Sequence, residues 1–459
     1  MLRFLPRTLA CLALCGLALA SATGCQTDAL TGKKTLNLYS YDDEKQMGDE
    51  AVQPILAELG GVYPDTALQN YLDQVGQKVV TAGRTRVRGE AEFPNWQFKF
   101  YLVNSSMINA FALPGGHVFV TRGILQKIKD ESELAGLLGH EVAHVFARHG
   151  TERMSKMTMM IIPVALLGAF EETQGVAVVG YVAVQLLGLK YSRGDESESD
   201  AYGMRFAARA GYAPDGVIGV MQMLNDYTKE HGGGGPEFLS THPDPGNRVK
   251  ELTSQAKKEY PDADQGNYVR NEQEFGNAMI QCKANQPAYD LADQGDEAMG
   301  LAMAAAEKGD KNTATGEFTR ALGLYQQAVS KQRDHAILHV NLAQANFYLE
   351  KYDAAEVNIK DALRLESSTF WPNFMGGLIA IKRNDNAVAE ARLQNALNLI
   401  QDSAVGLFYM AVAEERGQKT EAAAGNYRKC YDTLGGEGDL AEKARLKLIE
   451  LGKPDPKAK

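Results

Sequence analysis

Two histidines four residues apart, with a glutamate directly after the first, lie in the run Glu131-Ser132-Glu133-Leu134-Ala135-Gly136-Leu137-Leu138-Gly139-His140-Glu141-Val142-Ala143-His144-Val145. Apolar residues recur there at helical spacing, which predicts an α-helix. On a helix, His140 and His144 stand one turn apart on one face, so both imidazoles reach one zinc ion at about 2.0–2.1 Å. Glu141 is within reach of the attacking water as general base. Two histidines at this spacing also occur as plain surface residues of an amphipathic helix, so a third donor matters. A catalytic zinc keeps three protein ligands and one open position. The extended three-histidine motif is not met, because Ala147 and Gly150 stand where glycine and histidine would be needed. Glutamate is the better candidate. The run from Tyr191 to Gly203 predicts a second helix, on which Glu196 and Asp200 share a face while Glu198 points elsewhere. Glu196 suits a zinc ligand, and Asp200 suits an outer hydrogen bond that orients a ligand histidine. An acidic helix start favoured by the macrodipole accounts for Asp195, Glu196 and Glu198 without a metal, and taken alone that plainer reading is the stronger.

Around these helices the pattern is mixed. Residues 38–90 read mostly as helix, opening on an acidic turn at Asp42-Asp43-Glu44. Alternation in Trp96 to Val103 predicts a half-buried strand, and His117 to Thr121 a second. Between them, Asn109-Ala110-Phe111-Ala112-Leu113-Pro114-Gly115-Gly116 reads as an extended segment ending in a tight turn. Two apolar runs, Met159 to Phe170 and Val176 to Leu189, are short for a bilayer span and read as buried or membrane-facing helices near a site. Periodicity then weakens from Tyr260-Pro261-Asp262 to about residue 296.

The 459-residue chain is too long for one ordinary core. With 44% hydrophobic and 23% charged residues it has the material for folded cores. A net charge of -10 argues against nucleic acid as a partner, since backbone binding needs clustered Lys and Arg. Arg3, Arg7 and the apolar stretch Leu9 to Leu19 read as an export signal over residues 1–24. Ala22-Thr23-Gly24-Cys25 resembles a bacterial lipobox with Ala22 in the usual leucine place, which would lipidate Cys25; ordinary signal cleavage near Ala20 or Ala22 is the alternative. Cys282 and Cys430 then remain, either as a disulfide or as two buried thiols.

The last third repeats with a period of 34. Ala343, Gly377 and Ala411 are in register, as are Ala355, Ala389 and Ala423; Ile359, Leu393 and Tyr427; and Ala362, Ala396 and Cys430. This is a tetratricopeptide-like period, in which small residues let paired helices approach and larger ones fill the space between hairpins. Ala321, Tyr325 and Ala328 continue the register one step back, giving three regular repeats behind an irregular leading unit. Such a stack presents a concave face that commonly binds protein segments.

Together, His140-Glu141-x-x-His144, Glu196-x-x-x-Asp200 and the segment Asn109 to Gly116 resemble the zinc-metalloprotease family that contains HtpX and the CAAX prenyl endopeptidases, over roughly residues 38–255. With the lipoprotein-like leader and the repeats, the whole chain resembles its BepA-like branch of periplasmic protease-chaperones. The resemblance implies one zinc per chain held by His140, His144 and Glu196, Glu141 as base and Asp200 behind a ligand. The family usually has alanine where Ser199 stands. A further family element, Thr241-His242-Pro243-Asp244-Pro245-Gly246-Asn247-Arg248, implies that His242 either stabilises the oxyanion or caps the zinc as an inhibitory ligand, with Arg248 supporting charge; by residue chemistry alone His242 is a solvated loop side chain. Ala110 to Leu113, with Asn109, reads as an edge strand that aligns extended substrate by backbone hydrogen bonds.

The expected architecture is mainly α with a small β-sheet: an α+β zincin-like metalloprotease domain (25–265), a connecting segment (266–296), an α-solenoid of tetratricopeptide-like repeats (297–450) and a short tail (451–459). The expected function is a zinc-dependent endopeptidase of the bacterial cell envelope that degrades misfolded or misassembled proteins, with chaperone activity and with repeats that engage substrates or the outer-membrane assembly machinery. It would sit in the periplasm, held to a membrane, the outer one by preference, through lipidated Cys25. The rival is a lipid-anchored repeat adaptor or chaperone without proteolysis, whose metal is structural or held inactive.

Overall fold

The computed structural model describes residues 25–27, 30–84, 94–166, 188, 190–232 and 235–458. The export signal and nearly all of the second apolar run lie outside them. Strands β1 (Cys25–Thr27) and β2 (Lys34–Leu36) pair antiparallel. Helix α1 (Tyr41–Glu58) starts at Ser40, whose hydroxyl accepts from the Asp43 amide while the Asp43 carboxylate accepts from the Ser40 amide. It is separate from α2 (Thr66–Arg84), so the helical stretch expected from residue 38 onward is divided. Gly60 and Gly61 take left-handed φ of 79° and 85° and turn the chain, which lets the Tyr63 amide donate to the Leu102 carbonyl.

That carbonyl belongs to β3 (Lys99–Val103), shorter at its start than the alternation predicts. Strands β4 (Ala110–Leu113) and β5 (His117–Thr121) complete a sheet of order β3-β5-β4. β3 runs parallel to β5 with Lys99 opposite His117, and β4 runs antiparallel to it with Ala110 opposite Val120. Gly115 and Gly116, at φ 80° and 94°, make the tight turn. β4 lies at the edge, as its extended pattern led one to expect.

After the single turn α3 (Arg122–Leu125), α4 (Glu131–Phe146) carries the histidine pair and is buried along its whole length. Asp130 caps it, accepting from the Glu133 amide. It is followed by α5 (His149–Leu166), α6 (Arg193–Arg209), α7 (Gly216–Glu230), the short α8 (Phe238–Thr241) and α9 (Pro245–Glu259). Among the described residues no helix is long and apolar enough to cross a membrane. α4 and α6 cross at Gly139 and Gly203: a Cβ on Gly139 would stand 2.7 Å from the Gly203 carbonyl oxygen, and one on Gly203 2.6 Å from the His140 amide. The absence of side chains there lets the two site helices touch backbone to backbone.

The segment expected to connect the domains is mostly helical: α10 (Glu272–Ala278) leads into the 28-residue α11 (Ile280–Glu307). Its buried stripe, Cys282, Asn285, Ala288, Tyr289, Ala292, Gly295, Ala298 and Met299, is rich in small and polar residues, so hydrophobicity alone gives it no clear period. α11 pairs with α12 (Lys311–Lys331) as the irregular leading hairpin. Then come the hairpins α13 (Ala336–Tyr348) with α14 (Tyr352–Leu365), α15 (Phe370–Lys382) with α16 (Asn386–Leu399), and α17 (Ala404–Arg416) with α18 (Thr420–Thr433), closed by α19 (Gly438–Glu450). Every position in the four 34-residue columns is buried. Gly377 is needed where it stands, because a Cβ would meet Leu393 Cγ at 2.5 Å. Cys282 and Cys430 are free buried thiols in separate cores, so no disulfide joins them.

The repeats also pack on the first domain. Trp371 Nε1 donates to the Ala57 carbonyl at 2.7 Å. Asn104 Nδ2 donates to the Tyr289 hydroxyl at 3.0 Å, and the buried Arg122 guanidinium lies 4.0 Å from the centre of that tyrosine's ring.

Candidate metal centre

His140 and His144 project from one face of α4, and their Nε2 atoms approach to 3.1 Å. Glu196 comes to them from the first turn of α6. The cap of this helix explains its geometry: Ser192 accepts from the Asp195 amide and Asp195 from the Ser192 amide, so the acidic start is real, but only Asp195 serves it. Glu196 turns inward, with Oε1 3.4 Å from His144 Nε2 and Oε2 3.7 Å from His140 Nε2. His242, at the end of α8, is fully buried rather than solvated; its Nδ1 stands 2.9 Å from Glu196 Oε1 and 3.3 Å from His140 Nε2. One donor atom from each of His140, His144, Glu196 and His242 lies within 4.8 Å of the others.

The hydrogen bonds behind these donors determine where their lone pairs point. Asp200, one turn after Glu196, has Oδ1 2.9 Å from His140 Nδ1, which places that ring's proton on Nδ1 and leaves Nε2 facing the cluster as a lone pair. Arg248 on α9 grips Asp200 with Nε at 2.7 Å and Nη2 at 2.6 Å, and sets Nη1 2.6 Å from Glu196 Oε2. Several electron-pair donors thus converge on one spot. Donors held about 2.0–2.1 Å from a tetrahedral ion are themselves about 3.3 Å apart, and the separations here cluster around that spacing. The residues fit a metal ion.

Burial governs the charges. It keeps the His144 imidazole well below its ordinary value, hence neutral as a ligand must be. Burial also raises the Glu141 carboxyl, with His242 and His140 opposing without cancelling it. For Glu196 burial works the same way, but His242 and Arg248 outweigh it and hold this carboxyl well below the usual range. Asp200 is lowered for a like reason, Arg248 overcoming the cost of burial. His242 is raised, because Glu196 and Glu141 overcome burial. Glu141 Oε1 and His242 Nε2, both buried and 3.8 Å apart, have no hydrogen-bond partner among the described residues. Two such atoms beside a donor cluster mark a place for a third polar group.

Residues 67–256 match the family model described as Peptidase family M48. The chain carries a peptidase family M48 domain. The domain is a metalloprotease. Over 84% of this chain and 72% of its own length, the Beta-barrel assembly-enhancing protease of Yersinia pestis is 29% identical. The protein of that name from Escherichia coli K12 is 26% identical over the same shares. The Mitochondrial metalloendopeptidase OMA1 of Schizosaccharomyces pombe is 28% identical over 51% of this chain and 68% of its own.

Of the other site residues expected from sequence, Asn109 to Leu113 lie on and just before the edge strand β4, where Ala112 and Leu113 line one cavity with His144 and Tyr191. The Asn109 amide and carbonyl are both bonded to Thr121, while its Oδ1 is buried without a hydrogen-bond partner among the described residues. Cys25 lies in β1. The M48 domain also contains participants that the sequence reading passed over. The Tyr191 ring packs 4.0 Å from that of His144 and 5.1 Å from that of His242. Its amide donates to the Thr241 carbonyl, tying the start of α6 to the His242 loop. His149, and Glu198 read above as pointing elsewhere, stand behind His144. The pairing of Gly139 with Gly203 sets how closely the helices meet, and one sequence cannot reveal which glycines face each other.

Proposed function

We propose that the chain is a zinc-dependent endopeptidase of the bacterial cell envelope that removes misfolded or misassembled proteins, with residues 25–265 as the protease and 297–450 as repeats that engage clients or the outer-membrane assembly machinery. One zinc per chain would be held by His140, His144 and Glu196. When bound, it would supply Lewis acidity toward the scissile carbonyl and acidify its attacking water. The observation that carries this reading is the buried Glu141 Oε1, without a hydrogen-bond partner among the described residues, beside the converging donors: its raised basicity suits it to take a proton from water and return it to the leaving amine. Asp200 orients His140, and Arg248 compensates the charge of Asp200 and Glu196. β4, with Asn109 before it, offers edge hydrogen bonds to an extended chain; such binding reads backbone and so selects unfolded clients. The names of the relatives and the stack of repeats support the envelope role. An export leader over residues 1–24 and lipid on Cys25 would hold the protein to the periplasmic face of the outer membrane.

His242 supports a second reading. With its Nδ1 among the donors, four protein groups face one spot, the closed arrangement of a structural or restrained metal site. Hydrolysis then requires His242 to swing away, after which its ring is placed to stabilise the oxyanion; if it never does, the protein is a repeat adaptor or chaperone. Glu141→Gln should keep bound zinc yet lose about a hundred-fold or more of the cleavage of an unfolded test protein. Unchanged cleavage would reject the catalytic assignment. A wild type that binds zinc and prevents aggregation but never cleaves would favour the adaptor.

A further inference from the structure

The rear of His144 is as ordered as that of His140, but through different groups. His144 Nδ1 stands 3.0 Å from Nδ1 of His149, whose ring is 5% exposed. His149 Nε2 faces Glu198 Oε1 at 3.5 Å, and Ser199 Oγ lies 3.2 Å from His149 Nδ1. Glu198 is in turn ion-paired with Lys33, just before β2. In an uninterrupted helix a residue five positions after His144 would lie about 140° around the axis from it. Here α4 stops at Phe146, Arg148 takes a left-handed φ of 56°, and α5 begins at His149 in a new direction, which brings the two rings together.

The protons can be assigned by hydrogen-bond consistency. A neutral histidine that presents Nε2 as a lone pair carries its proton on Nδ1. His144 therefore donates from Nδ1, and His149 Nδ1 must accept. The proton of His149 is then on Nε2, where the Glu198 carboxylate is the acceptor. The Ser199 hydroxyl rotates to donate to the same His149 Nδ1. The opposite tautomer of His149 would set two N–H groups head to head between the rings.

We propose that His149 is a positioning residue for His144: it fixes the tautomer and ring orientation in which His144 offers Nε2 to a metal, and Glu198 holds it in place. This rests on the reading of His144 as a metal ligand. Outer partners of ligand histidines are worth about 10–100-fold in metal affinity. Zinc affinity of the full chain, measured by competition with a chelator, should therefore fall about 10–100-fold in His149→Phe, which keeps a ring but offers no acceptor. His149→Asn, whose amide oxygen sits where Nδ1 was, should recover most of the loss. Thermal unfolding of the metal-free proteins should order the variants differently, since packing alone would not distinguish an acceptor from a ring. At the less buried Glu198, Glu198→Ala should weaken zinc binding and Glu198→Gln, which keeps an acceptor oxygen, should not; Lys33→Met should leave it unchanged. Ser199→Ala should not weaken binding either, because the acceptor on His149 remains.

Wild-type zinc binding with an equally tight His149→Phe would overturn the inference alone, as would a loss in His149→Phe that His149→Asn fails to repair. If His149→Phe does not fold, equal affinities for Glu198→Ala and wild type would overturn it instead. A wild type that binds no zinc would overturn the metal centre together with this inference.

Discussion

The two halves of the molecule are held by opposite means. In the repeats, stability comes from apolar and small side chains stacked at one spacing, each hairpin touching its neighbours. In the M48 domain, α4, α6, α8 and α9 meet around a buried set of ionisable groups, His140, Glu141, His144, Glu196, Asp200, His242 and Arg248, each at most 3% exposed. In the first arrangement a change is felt locally, because each hairpin is stabilised by itself and its immediate neighbours. In the second it is not, because each buried charge depends on a named partner contributed from elsewhere in the chain.

That contrast can be broken most directly at Arg248. Arg248→Met removes the guanidinium that pairs with Asp200 and Glu196 and should cost about 3–5 kcal/mol of stability, together with loss of ordered metal binding; denaturant unfolding and zinc stoichiometry would check both. A repeat-domain counterpart is Leu393→Ala, which empties a fully buried position. It should cost about 2–5 kcal/mol, seen as an early separate unfolding step, while cleavage of a short peptide stays near wild type. Equal damage to peptide cleavage would mean that the halves are coupled more tightly than their packing suggests.

Gly203→Ala sharpens the comparison at the helix crossing. Its new Cβ would press on the His140 backbone, so α6 must move, at about 1–3 kcal/mol, and zinc affinity should fall more than stability does. A fourth test addresses the seam between the halves. His335 precedes α13, bonded to the Tyr289 hydroxyl, edge-on to the Tyr63 ring and near Arg122, Asp65 and Asp334. Burial depresses its pKa from 6.5 to about 4, Asp334 and Asp65 opposing only in part. The unfolded chain therefore takes up a proton at a pH where the folded one does not, so this contribution is intact above pH 6.5 and is lost as pH falls toward 4. The loss should reach about 1 kcal/mol by pH 5.5. His335→Gln should flatten that slope in urea titrations at pH 7.5 and 5.5.

How much of this was legible beforehand also divides between the halves. The solenoid announces itself because neighbouring hairpins solve the same packing problem, so Ile359, Leu393 and Tyr427 recur at 34. In the leading hairpin, Ala321, Tyr325 and Ala328 on α12 kept the register, while α11 escaped because it buries alanine, glycine and asparagine. In the protease, the spacing of His140 and His144 and the face shared by Glu196 and Asp200 are helix-local facts that a linear chain displays. The burial of His242 is not: its loop looks solvated until α8 and the Tyr191 segment close over it. Glu198 does stand outside the donor cluster, but its place behind His144 was hidden because its partner His149 is set by the left-handed Arg148, a turn that residue type does not advertise.

Sequence by itself determined what is periodic: the helix that carries the histidine pair, the edge strand, the repeat length and the types of donor available. Tertiary structure decided which donors meet, which nitrogen of each ring faces inward, and which charges lie out of water. The reason is range. Periodicity follows from backbone geometry within a few residues, whereas the field at Glu141 or His144 is the sum over groups brought from four helices, and no stretch of chain contains that sum.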